Sequence, residues 1–272
     1  MTERGLLLDC HIHSRFSCDS DATVEAICQA ACERGLGLIC LTDHVDLDPL
    51  DWGYGYFDYE EYKVAIEEAQ ARWEGRLEVL GGIEVDYRDI YQEDIVRFLD
   101  GKEFDFVLGS VHACYDGWFN PRFFDAHDEE SAYGLYFEQM KHLIQSDLFD
   151  CIGHLDFFKR FGVEAYGPFD FTRWAPVLEE ILVGAVQHGL AIEINTSGLR
   201  QAPSETFPGL STLELYRHLG GQILTVGTDT HGAEHVGSDI PLALDLAREA
   251  GFDSIAFFQD RQPHRIPLDG AR

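Results

Sequence analysis

The chain has 272 residues, 45% of them hydrophobic, with 49 Asp and Glu against 20 Lys and Arg and a formal charge of −29. That apolar content supports a large core and excludes a disordered chain, while the acidic excess argues against nucleic acid or anionic lipid as partners. The length suits one α/β barrel, for which about 250 residues is typical.

Taken in order, short apolar runs alternate with helical patterns. The run GLLLDCH (5–11) precedes a helical pattern at 21–35, and LGLICLTDH (36–44) precedes one at 59–75. LEVLGGIEV (77–85) is followed by 92–101, FDFVLGSVH (104–112) by 131–146, and FDCIGHLD (149–156) by 175–189. GLAIEIN (189–195) leads to 211–220, and GQILTVGTD (221–229) is the seventh run, with FDSIAFFQD (252–260) offering an eighth strand at the end. Apolar spacing of three and four marks the helices, and Gly35, Gly75, Gly189 and Gly220 stand where C-caps belong. Near-continuous apolar strands between helices predict a parallel sheet. No GxGxxG or P-loop pattern favours an open nucleotide-binding sheet. With neither linker nor repeat, residues 1–272 read as one domain. The intervals 45–60 and 113–132, rich in Asp, Gly and aromatics, read as loops over a site, each with room for a short helix.

Seven cysteines without a disulfide framework or a CxxC pair indicate reduced, mostly core thiols and a cytoplasmic setting. No signal pattern opens the chain, and no apolar stretch reaches the ~18–20 residues of a membrane helix.

Chemistry gathers where each strand ends. His11 and His13 close the first strand, and their i, i+2 spacing points both imidazoles to one face. Asp43 and His44 close the second, Glu84 and Asp86 the third, His112 the fourth, His154 and Asp156 the fifth. Glu193 and Asn195 close the sixth, Asp229 and His231 the seventh. The carboxyl ends of parallel strands form the functional face of such folds. Unpaired polar groups there would cost ~1–3 kcal/mol each, and divalent cations would satisfy them. Imidazole and carboxylate without thiolate suit Zn, Mn or Fe in a catalytic site. The donors outnumber the needs of one ion, so two or three are expected, and closely spaced ions suit phosphoester chemistry.

The run HIHSRFSCD with LTDH, GIEV, GSVH, GHLD and GTDTH resembles the polymerase-and-histidinol-phosphatase (PHP) family across nearly the whole chain. The resemblance implies a distorted seven-stranded (β/α)7 barrel, similar to a TIM barrel, with a trinuclear metal site at the C-terminal ends of its strands. Carried onto this sequence, it implies that His11, His13, Glu84 and Asp229 hold one ion. Glu84 would bridge to a second with His112 and His154, and Asp19, His44 and His231 would hold a third. Asp19 departs from the family's usual histidine and favours a harder ion there. GHLDFFKRFG, IEINTSGLR and SAYGLYFEQM further resemble the monofunctional histidinol-phosphate phosphatases of histidine biosynthesis.

The activity so implied is hydrolysis of the small molecule L-histidinol phosphate to L-histidinol and phosphate, by a hydroxide bridging two ions. Arg160 and Arg200 would grip the phosphate, with Arg15 and Lys159 as weaker candidates. Asp229 is expected to handle the nucleophile's proton, and Asp229 or His231 to protonate the leaving group. Asp156 is expected to orient a ligand imidazole, and Asn195 to do similar work or to face the substrate. Asp46, Asp48, Asp51, Trp52 and Tyr54 form either a solvated lid or a wall for the substrate's amino and imidazole groups. The alternatives are another small phosphoester, such as a nucleotide or sugar phosphate, and a metal-binding module without catalysis. Oligomeric state is not legible in the sequence.

Overall fold

The computed structural model describes residues 7–268, so Gly5 and Leu6 of the first expected strand lie outside the described residues. The elements are β1 (Leu8–Ile12), α1 (Val24–Glu33), β2 (Leu38–Val45), α2 (Tyr59–Trp73), β3 (Glu78–Asp86), α3 (Gln92–Leu99) and β4 (Phe106–Ser110). A hairpin of β5 (Ala113–Cys114) and β6 (Gly117–Trp118) leads to α4 (Pro121–Ala126) and α5 (Glu129–Gln145). Then come β7 (Cys151–Ile152), α6 (Lys159–Tyr166), α7 (Phe171–Gln187), β8 (Ala191–Asn195), α8 (Leu210–His218) and β9 (Leu224–Gly227). The last elements among the described residues are α9 (Ile240–Glu249), β10 (Ser254–Gln259) and β11 (Gln262–Pro267).

Local sequence explains the helices. Thr23, Asp58, Asp128 and Asp170 each accept a backbone N–H with their side chain and so cap α1, α2, α5 and α7. In α1, Val24, Ile27, Cys28 and Ala31 form the buried stripe. Helix α7 starts at Phe171, a turn before the expected start, because Asp170 caps it there and Pro176 is accommodated inside. The short helices α4 and α6 have too few turns to show a clear apolar period.

Seven strands form one parallel sheet in the order β1-β2-β3-β4-β7-β8-β9. Backbone bonds from Asp229 N to His11 O (2.7 Å) and from His13 N to Thr230 O (2.9 Å) bring its two edges together. The buried Asp9 carboxylate completes this seam by accepting Thr228 N (2.9 Å), Thr228 Oγ1 (2.6 Å) and Gly237 N (2.9 Å). Burial pushes the Asp9 pKa up to about 6 against those hydrogen bonds. The result is a seven-stranded β/α barrel. The terminal strand-like run joins no barrel strand: β10 pairs with β11 as an antiparallel hairpin.

Two features place the site. The β2–β3 register sets His44 opposite Glu84, so neighbouring strands deliver chemistry at one height. Strand β7 is only two residues long, because the chain leaves the ladder at His154, which has φ 22°. All seven cysteines are free thiols, five of them buried, and among the described residues no helix is long and apolar enough to cross a membrane.

Candidate metal centre

Glu84 is the hub. Its fully buried carboxylate lies 2.7 Å from His154 Nε2, 3.1 Å from His44 Nδ1, 3.3 Å from His11 Nε2 and 3.4 Å from His13 Nε2. Three sets of potential ligands surround it: His11, His13 and Asp229; Glu84, His112 and His154; and His13, Asp19, His44 and His231. These are the nine residues picked out above, brought from β1, β2, β3 and the segments after β1, β4, β7 and β9 into one mouth. Asp19 Oδ2 lies 2.9 Å from His231 Nε2 and 3.5 Å from His44 Nε2, so the aspartate fills its place in the third set.

The hydrogen bonds at the back of the rings decide what the front can do. His11 Nδ1–H donates to Glu193 (2.7 Å) and His13 Nδ1–H to Ser17 Oγ (3.0 Å). Ser17 Oγ in turn donates to Asp43 (2.8 Å), which also accepts Ser14 N and Ser14 Oγ. His112 Nδ1 lies 3.3 Å from Asp86. With Nδ1 carrying the proton, Nε2 presents a lone pair, and two such lone pairs meet at 3.1 Å between His11 and His13. His112 and His154 Nε2 are likewise 3.3 Å apart. Buried His44 Nδ1, Glu84 Oε2 and His154 Nδ1 have no hydrogen-bond partner. Acceptors converging on acceptors in a buried space need positive charge.

The electrostatics say the same. Burial opposes a charge on His11, yet the carboxylates of Glu193, Glu84 and Asp229 hold its pKa well above the usual value. His44 is raised to about 10 in spite of burial, by Glu84 and Asp19. His112 and His231 are also raised against burial, by Asp86 and Asp19 respectively. Burial, reinforced by His231 and His44, drives His13 down to about 3. Glu84 and Asp229 stay well below the carboxylate range despite burial, because of the imidazoles around them. Such a field draws protons onto its histidines where cations would otherwise sit. Nitrogen and oxygen donors in these sets fit divalent ions of the zinc type.

A pocket of about 290 Å³ opens over the cluster. Arg160 lines it, together with Asp229, His231, Phe157, Phe119 and Asn120, and the 45–60 segment contributes Asp46, Asp51 and Trp52. Arg200 ends the turn of 196–200 with Nη2 on the carbonyl of Thr228 (2.6 Å), next to Asp229. Arg15 departs from expectation. It projects from a turn, lies over the Phe16 ring (5.1 Å) and lines an outer groove with Thr23, Glu25 and Arg72. Asp156 orients no imidazole: it pairs at 2.7 Å with Lys159, which is buried rather than solvated and also reaches Glu205 (2.9 Å). Asp48 is taken up by Arg88 and Tyr91.

Glu193, Ser17 and Asp43 are side chains of the site to which the sequence alone gives no role. A signal exists for Glu193: it stands i, i+2 from Asn195 on an apolar strand, the spacing that marks His11 and His13.

A parallel β/α barrel with three imidazole–carboxylate sets at its mouth is a metal-binding barrel with an open substrate pocket. The chain belongs to the PHP family: residues 9–197 match the PHP domain. It is 30% identical to the histidinol-phosphatase of Lactococcus lactis, over 92% of this chain and 94% of that protein. A "probable histidinol-phosphatase" of Deinococcus radiodurans is 29% identical over 92% and 96%. The crystal structure of the L. lactis histidinol phosphate phosphatase, complexed with zinc, L-histidinol and phosphate, matches with a TM-score of 0.88 at 29% identity, covering 96% of this chain and 99% of that one.

Proposed function

We propose that this protein is a metal-dependent histidinol-phosphatase, which hydrolyses L-histidinol phosphate to L-histidinol and inorganic phosphate in histidine biosynthesis. The observation that carries the reading is the convergence of all three ligand sets on Glu84 beneath the pocket that Arg160 lines. The L. lactis relative, similar over nearly the whole chain, supports the choice of substrate. Two or three divalent ions, with zinc first and manganese or iron as the others, would be held by His11, His13 and Asp229; by Glu84, His112 and His154; and by Asp19, His44 and His231. When bound, they supply Lewis-acid charge and a water activated near neutral pH.

The chain's own groups do the rest. Arg160 pairs with the phosphate, since a guanidinium fork matches phosphoryl oxygens, and Arg200 is the second cation beside the Asp229 turn. Asp229 takes a proton from the attacking water, and Asp229 or His231 returns one to the alkoxide as the P–O bond breaks. Phe157 and Phe119 keep bulk water from the reacting side of the pocket. Asp46 and Asp51, with Trp52 as a flat wall, suit a substrate bearing an ammonium and an imidazole. The free thiols and the acidic surface accord with a cytoplasmic enzyme of small-molecule metabolism.

The test is phosphate release from histidinol phosphate by protein stripped with chelator and then reloaded with each ion. Activity should vanish on stripping and return with zinc, and histidinol phosphate should exceed sugar and nucleotide monophosphates in kcat/KM. Activity that survives complete stripping would refute the metal role. Equal turnover across the panel would favour the alternative of another small phosphoester.

A further inference from the structure

Glu193 is 1% exposed and lies behind the ligands rather than among them. Its carboxylate accepts three hydrogen bonds from three parts of the cluster. Oε1 takes His11 Nδ1–H (2.7 Å), while Oε2 takes the backbone N–H of His154 (2.8 Å) and Asn195 Nδ2 (3.0 Å). Asn195 passes the connection on: the same Nδ2 lies 3.3 Å from Asp229 Oδ2, on which Ser197 Oγ also sits at 3.2 Å. Strand β8 stands between β7 and β9 in the sheet, so one side chain on it reaches the ligand-bearing segments on both flanks and β1 beyond.

Each contact sets something a ligand needs. The bond to His11 fixes the proton on Nδ1 and leaves the Nε2 lone pair facing Glu84. The bond to His154 N holds a backbone that no sheet ladder supports, at φ 22°. The relay through Asn195 and Ser197 engages Asp229 Oδ2 and leaves Oδ1 toward His13 Nε2, 3.2 Å away. The packing is close: a Cβ at Gly227 would collide with both Glu193 Oε1 and His11 Cβ, which accounts for the glycine in GTDTH.

We infer that Glu193 is the positioning residue of the metal centre, a single carboxylate that sets His11, His154 and, through Asn195, Asp229, and thereby couples two of the ligand sets. The inference rests on the reading that the cluster binds divalent ions. Glutamine is no substitute here. All three neighbours are donors, and an amide has one acceptor oxygen, so Glu193→Gln sets N–H against N–H or turns His11 to the tautomer that points a proton at the ion.

Zinc retention tests this without recourse to turnover. Zinc-loaded wild-type and Glu193→Gln proteins are dialysed against graded chelator, and bound zinc is measured by elemental analysis. The His11 tautomer is read by long-range 1H–15N correlation. Glu193→Gln should release zinc at roughly 10–100-fold lower chelator strength, with the His11 Nδ1–H signal lost or displaced. Asn195→Ala, which leaves the carboxylate in place, should show a smaller loss in the same direction and keeps the test open if Glu193→Gln fails to fold. Zinc retention equal to wild type in the folded variants, with the His11 tautomer unchanged, would overturn the inference. Wild-type protein that takes up no zinc would overturn instead the metal reading on which it stands.

Discussion

Replacing Lys159 by methionine is a sharp test of how the pocket is built. Lys159 is 3% exposed; its ammonium lies 2.7 Å from Asp156 Oδ2 and 2.9 Å from Glu205 Oε1, and packs 4.5 Å from the centre of the Phe169 ring. Asp156 is itself 1% exposed, whereas Glu205 is partly solvated. Methionine keeps the stem and removes the charge, so Asp156 is left buried without its counter-ion. Removing one partner of a buried pair costs about 3–5 kcal/mol. At roughly 2 °C per kcal/mol for a chain of this size, Tm should fall by about 6–10 °C. Burial already raises the Asp156 pKa, and Lys159 opposes the rise. An acid raised on folding contributes stability that is complete below its unfolded pKa of about 4 and is lost as pH climbs through the folded value. Deleting Lys159 raises the folded value further. The difference between variant and wild type should therefore be small near pH ~4 and grow toward neutrality. Thermal unfolding followed by circular dichroism, with chelator present so that metal binding adds nothing, reads this directly. The double variant Asp156→Asn/Lys159→Met should recover much of the loss. A Lys159→Met protein that melts within about 1 °C of wild type at neutral pH, or a loss that does not change with pH, would refute the reasoning.

Three further outcomes are expected. Arg160→Ala should lower kcat/KM for histidinol phosphate roughly ten- to a hundredfold, the worth of a charge-assisted hydrogen bond, whereas Arg15→Ala, in its outer groove, should change it less than about twofold; steady-state kinetics separates them. Asp46 lines the pocket, and burial pushes its pKa up to about 7; Asp46→Asn should raise KM for histidinol phosphate and leave an amine-free phosphomonoester unaffected, and equal effects on both would remove Asp46 from substrate recognition. His127 has a carbonyl acceptor on one ring nitrogen (Phe123 O, 2.8 Å) and a carboxylate on the other (Asp116, 2.7 Å), and the Phe123 carbonyl, then Asp116, raise its pKa. A base raised on folding stabilises below its unfolded pKa of about 6.5 and loses that contribution as pH rises through the folded value, so His127→Gln should lower Tm more at about pH 6 than at about pH 9.

Much of this protein is written in local pattern. The alternation of apolar runs with three-and-four helical spacing is enough for a parallel sheet flanked by helices, because each strand buried on both faces must be nearly continuous in apolar residues. The i, i+2 pair His11 and His13 is enough to aim two imidazoles one way, because a strand repeats every two residues. The strand-end position of His44, Glu84 and Asp229 is enough to mark one face. What the sequence could not settle depends on distance through space. Arg15 and Arg160 both follow strand ends, yet one turns outward and the other lines the pocket, since a side chain's direction after a strand is set by the turn it sits in. Lys159 stands beside Arg160 in the sequence, and only the packing of α6 buries it on Asp156. Glu193 carried the same strand-end signature as the ligands. Its place one layer behind them follows from which ring nitrogen lies 2.7 Å away, a fact created when β8 is set between its neighbours and β1 closes the barrel. Residue type and period fix what a side chain can offer and which face it takes; only the closed sheet decides which partner receives it.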